Sequence, residues 1–202
     1  MTRKWVYWTA LAVFTCTTAL TLTSLFTTHW VEYSIREGNT GNKFTKTVGL
    51  HRTCNPFGTP EQPLCQPFPS EDQCREFKTF CSWWRTSNFL LWFATIFELA
   101  TLVTFLVVLF GGKYKRESGW KLISCFLVAD AVVEFFTTGI VTHLVDNNHW
   151  FFNVPGWQLG YSYWLCTASA SVSVLLAWGL VASAYTLPLE DDYEYLEDPL
   201  DG

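Results

Sequence analysis

The chain has 202 residues, of which 50% are apolar, 18% aromatic and only 15% charged. So few charges with so many rings exclude an ordinary soluble domain, and the formal charge of −5 is concentrated in an acidic C-terminal block, which argues against a nucleic-acid partner. What remains is a membrane protein.

Four apolar windows are long enough to cross a ~30 Å hydrocarbon layer, at residues 6–26, 89–110, 122–144 and 161–187. The first follows Arg3 and Lys4 as a signal peptide would. Its run is longer than a signal core and no small-x-small cleavage site precedes His29-Trp30, so it is expected to stay as a helix. That helix is rich in Thr and Ala (Thr9, Ala10, Thr17, Thr21). Small and hydroxylated residues let helices approach closely in lipid, which places it inside a bundle.

A loop spanning residues 27–88 follows. Residues 31–35 and 44–50 alternate like strands, and Gly38-Asn39-Thr40-Gly41-Asn42 between them is a dense turn signal, so an extracellular hairpin is expected. Residues 55–70 read as irregular and Pro-rich, and 74–81 as a short helical piece leading into the second span. None of Asn39, Asn42, Asn55 and Asn88 begins an N-glycan acceptor triplet. Cys54, Cys65, Cys74 and Cys81 all fall in this loop, whereas Cys16, Cys125 and Cys166 fall in apolar segments. Thiols outside the cell oxidise, and four of them allow three pairings. Cys54–Cys65 and Cys74–Cys81 are the shortest closures and are favoured; a zinc site lacks the CxxC spacing.

Glu98 lies in the second span, and Asp130 and Glu134 lie in the third. At ~1.5 Å per residue, Glu98 is roughly 15 Å from one boundary and Asp130 roughly 15 Å from the other, so they share a depth. A carboxyl group there costs a few kcal/mol, so each must face protein, pair or be protonated. Three readings stay open: satisfaction by Thr95, Thr101, Thr104, Thr137 or Thr138; a cation or proton path; or docking onto a basic residue of another membrane protein. The last names Glu98, Asp130 and Glu134 as partner-docking residues.

Lys113, Lys115, Arg116 and Lys121 make the connection between the second and third spans basic, and no Lys or Arg follows Lys121. That loop and both termini are therefore expected in the cytoplasm. The connection from 144 to 160 is aromatic, with His149-Trp150-Phe151-Phe152 and Pro155-Gly156-Trp157, as an interfacial belt would be. The fourth span repeats Ser169, Ser173 and Ala177 at steps of four, a packing seam. Residues 188–202 are an acidic tail holding seven of the 18 acids, either a solvated end or a docking segment for a basic cytoplasmic partner. There is no Gly-rich phosphate loop, Gly-x-Ser-x-Gly or His-Glu-x-x-His, so neither an enzyme, a cofactor nor a metal is expected.

Trp30, then Gly49-Leu50-x-x-x-Cys54, then Cys65, between the first and second of four spans, resembles the claudin and peripheral-myelin-protein superfamily signature. Arg85 before the second span and Tyr161-Ser162-Tyr163 opening the fourth extend the likeness over residues 1–187. The resemblance implies a claudin-like fold: an all-α membrane protein with four transmembrane helices in a left-handed bundle and an extracellular β-sheet. His51 stands where the family usually has a second Trp that seats the sheet at the outer membrane surface. Within the superfamily, Gly-Leu-x-Arg-Thr-Cys and Cys74-Arg75-Glu76-Phe77-Lys78-Thr79-Phe80 are similar to calcium-channel gamma subunits and the related glutamate-receptor regulators. That implies an accessory subunit of a plasma-membrane channel or receptor, with an integral membrane protein and lipid as partners. A junction protein forming a paracellular barrier is the alternative.

Overall fold

A computed structural model describes residues 2–36, 43–55, 64–147 and 156–187. Four long helices dominate it: α1 (Thr2–Phe26), α3 (Lys78–Phe110), α4 (Lys113–Asn147) and α5 (Tyr161–Thr186). Each contains a stretch long and apolar enough to cross a membrane, and the chain is a multi-pass membrane protein by that criterion. α1 packs on α3 and α5, and α4 on α3 and α5, which closes a ring of four helices.

At one end of the ring sits a five-stranded antiparallel sheet in the order β4-β3-β2-β1-β5. Its strands are β1 (Val31–Arg36), β2 (Lys43–Val48), β3 (Arg52–Cys54), β4 (Cys65–Pro67) and β5 (Trp157–Leu159). The hairpin expected from alternation is β1 and β2, in the register Val31 to Val48 and Arg36 to Lys43. Two expectations are corrected. Residues 65–67 are not irregular but pair with β3, and the aromatic connection supplies β5, which pairs with β1 from Val31 to Leu159. The turn at 38–42, residues 149–155 and the tail at 188–202 lie outside the described residues.

The sheet is fastened to the helices by backbone. Gly160 N–H donates to the Trp30 carbonyl and Ser162 N–H to that of His29. A Cβ at Gly160 would collide with the His29 carbonyl, and one at Gly49 would come within 2.7 Å of Thr28 Cα, so both close approaches require glycine. Both favoured disulfides are present. Cys54–Cys65 joins facing residues of β3 and β4. Cys74–Cys81 ties α2 (Glu71–Glu76), which opens on a Ser70/Gln73 capping box, to the first turn of α3. α3 thus begins at Lys78, eleven residues before the expected span at 89, because an apolar segment marks only the part of a helix that meets lipid.

Two apolar clusters fill the bundle. Trp30, Leu50, Phe80, Trp84 and Val141 belong to the one at the sheet end. Phe14, Phe105, Ile123 and Leu127 belong to the one at the far end. Between them, on every helix, the buried positions turn polar: Thr17 and Thr21 on α1, Glu98 on α3, Asp130 and Glu134 on α4, Ser169 and Ser173 on α5.

Candidate functional site

Helical spacing explains the polar layer. Asp130 and Glu134, Ser169 and Ser173, and Thr17 and Thr21 are each four apart, so each pair lies on one face, and in all three that face is turned inward. Glu98 is likewise fully buried on α3. The three carboxylates converge, each offering one oxygen such that all three oxygens lie within 4.8 Å of one another. Thr21 Oγ1 is the hub: it lies 2.8 Å from Glu98 Oε1, 2.7 Å from Glu134 Oε1 and 2.7 Å from Ser169 Oγ. Ser169 also reaches the Thr17 carbonyl at 3.3 Å.

A hydroxyl carries one proton, so Thr21 donates to one of these neighbours at a time. Glu98 Oε2, Glu134 Oε2 and both oxygens of Asp130 have no hydrogen-bond partner among the described residues. Buried polar atoms left in this way are unusual, since desolvating a charged oxygen without a partner is costly.

This geometry corrects two expectations. Glu98, Asp130 and Glu134, expected as partner-docking residues, are fully buried inside the ring and present no carboxylate at its outer surface. Nor are they satisfied by threonines of their own helices. Thr95, Thr101, Thr104, Thr137 and Thr138 donate to carbonyls three or four residues back instead. The residues that do meet the acids, Thr21 and Ser169, read in the sequence only as packing positions.

The signature residues lie at the sheet end. Trp30 and Leu50 are buried, Gly49 lies against the end of α1, and Arg85 is exposed on α3 with no ion pair among the described residues. His51 accepts a hydrogen bond from Trp92 Nε1 at 2.9 Å through Nε2, so the sheet is seated on α3 by an imidazole–indole pair. A cavity of about 390 Å³ opens beside them, lined by Phe26, Thr28, Arg52 and the Cys54–Cys65 disulfide among others.

Because His51 Nε2 accepts, the ring must be neutral. Burial of the ring, and then the neighbouring Arg52 guanidinium, hold its pKa below the ordinary value. The sign follows from the depressed value. The stabilisation is fully present above the unfolded pKa of about 6.5 and is lost as pH falls through the lower folded value. In an NMR titration in detergent, His51 should protonate below about pH 6.5, and Trp92→Phe should move its midpoint upward. A His51 midpoint above that of a free histidine would contradict the pairing.

No protein-family model and no curated protein sequence matches the chain.

Proposed function

We propose that the chain is a non-enzymatic accessory subunit of a plasma-membrane channel or receptor complex, built as a claudin-like left-handed bundle with both termini in the cytoplasm. The observation that carries the reading is a continuous outward face on α3. Phe89, Trp92, Phe93, Ile96 and Leu99 are all exposed there, and Trp92 at its upper end is bonded to the disulfide-stapled sheet. One side of the molecule therefore offers a partner both membrane-level apolar contacts and a rigid outer surface. With the acids turned inward, docking falls to these apolar side chains and to Val128, Val132 and Phe136 on α4. Such a subunit biases its partner by contacting one conformational state better than another.

A junction protein is the second reading, and one observation favours it: β4, at the edge of the sheet, is exposed at all three residues, and an unpaired edge is a surface on which sheets of two copies align. Purification in mild detergent separates the two. A co-eluting channel or receptor subunit, lost when Phe93 and Ile96 are changed to Ala and retained when exposed Cys125 on α4 is changed to Ser, supports the accessory reading. Cell-bridging strands formed by the protein alone overturn it.

A further inference from the structure

We propose that Glu98, Asp130 and Glu134, together with Thr21 and Ser169, bind a hard divalent cation of calcium size at the centre of the helix bundle. The proposal does not depend on any partner and goes beyond the accessory-subunit reading.

Three carboxylates sealed between two apolar clusters carry a formal charge of −3, which no basic side chain among the described residues offsets. Protonation also removes charge, and an acid O–H of one carboxyl can donate to another of the three, but a chain neutralised by protons alone would hold no stoichiometric metal. A cation takes up the free oxygens directly. With a divalent ion and one retained proton, the site is neutral.

A second observation does not involve the acids. Ser173 is fully buried, and its hydroxyl has no partner among the described residues. α4 and α5 run in opposite directions, and Glu134 and Ser169 both meet at Thr21. One turn further from the sheet stand Asp130 on α4 and Ser173 on α5. The two unpartnered side chains therefore occupy the same level on neighbouring helices, one turn from the hub.

The ligand set identifies the class of ion. All donors are carboxylate or hydroxyl oxygens, which suit hard cations and not zinc or copper. Calcium takes six to eight oxygens at about 2.3–2.6 Å in flexible geometry, whereas magnesium demands a near-ideal octahedron at about 2.0–2.1 Å and keeps several waters. A sealed set of protein carboxylates and hydroxyls whose carboxylate oxygens lie within 4.8 Å of one another suits calcium. Every carboxylate is closed off from the surface, so the ion is resident, taken up as the bundle forms and coupled to its folding.

The test uses the full chain, purified in mild detergent and washed with a chelator to strip exposed acids such as those of the tail. Metal content is then read by mass spectrometry, and thermal unfolding is followed with added calcium and with chelator. The expected result is about one calcium per wild-type chain, or an unfolding temperature raised by roughly 5–10 °C with calcium over chelator. Either signal should fall by about tenfold or more in Asp130→Asn and in Glu134→Gln. Both variants keep side-chain size, and gel filtration confirms that they are folded. A wild-type chain without a stoichiometric divalent ion whose unfolding ignores calcium overturns the proposal. So does equal metal in wild type and Asp130→Asn, which would mean an adventitious ion only.

Discussion

Trp30→Ala is expected to destabilise the protein by about 4 kcal/mol, the range for truncating a fully buried aromatic side chain. The indole is completely enclosed, and its Nε1 donates to the Ser24 carbonyl at 2.8 Å. The edge of Tyr163 lies 6.5 Å away, centroid to centroid. Its backbone is equally committed, with N–H on the Val48 carbonyl and its own carbonyl receiving Gly160 N–H. Trp30 therefore joins the last turn of α1, the hairpin and the start of α5 at one point. Removing the ring leaves a cavity where those three elements meet and takes a donor from a carbonyl near the helix end. At about 2–4 °C per kcal/mol for a chain of this size, the unfolding temperature in detergent should drop by roughly 10 °C. Trp164→Ala provides the contrast, since Trp164 is 60% exposed on the outer face of α5. A similar loss for both would mean that aromatic bulk, and not this junction, sets the stability.

The same residue shows what could be read without coordinates. Hydropathy is a local property, so the four spans, and the shared depth of Glu98 and Asp130, followed from counting along the chain. Four loop cysteines allow three pairings, and the two shortest closures, favoured for that reason alone, are the ones that form. The sheet was legible only where a strand is long enough to alternate. β3, β4 and β5 have three residues each, too few to show a period of two, and β5 reaches β1 from more than a hundred residues away in sequence. Pairing of that kind is written in contacts, not in pattern.

The carboxylate cluster failed for a different reason. Apolar residues run all the way round α3 and α5, since lipid on one side and protein on the other both accept them. The inward face therefore could not be told from the outward one, and the acids stayed open between their own threonines, a cation or proton path and a partner. Thr21 carried a signal only in the company of other threonines on α1, and Ser169 only as one step of a small-residue seam. Each became a site residue through neighbours on other helices. His51 reads in the sequence as an isolated polar residue of the loop, and its partner, Trp92, lies in the second span. The contact that seats the sheet on α3 is therefore completed by an indole from the helix, which no pattern within the loop could announce.

Thr21→Val should be almost as damaging as the loss of Trp30, at about 3–5 kcal/mol, although it changes the side-chain volume very little. The hydroxyl touches Glu98 Oε1, Glu134 Oε1 and Ser169 Oγ. Replacing it by a methyl group leaves these atoms facing hydrocarbon in a fully buried layer. An orphaned buried polar group costs about 1–3 kcal/mol, and a broken buried charged network about 3–5 kcal/mol. Thr9→Val on the exposed side of the same helix is the control. Among the described residues Thr9 bonds to carbonyls of its own helix alone, and its replacement should stay within about 0.5 kcal/mol of wild type. The decisive comparison adds Glu98→Leu to Thr21→Val. Once one of the orphaned carboxylates is gone, the missing hydroxyl matters less, so the double variant should be more stable than the sum of the single effects by about 1 kcal/mol or more. Additive losses would mean that Thr21 and Glu98 act separately; a coupling of that size would place them in one network whose members across the helix ring are stable only together.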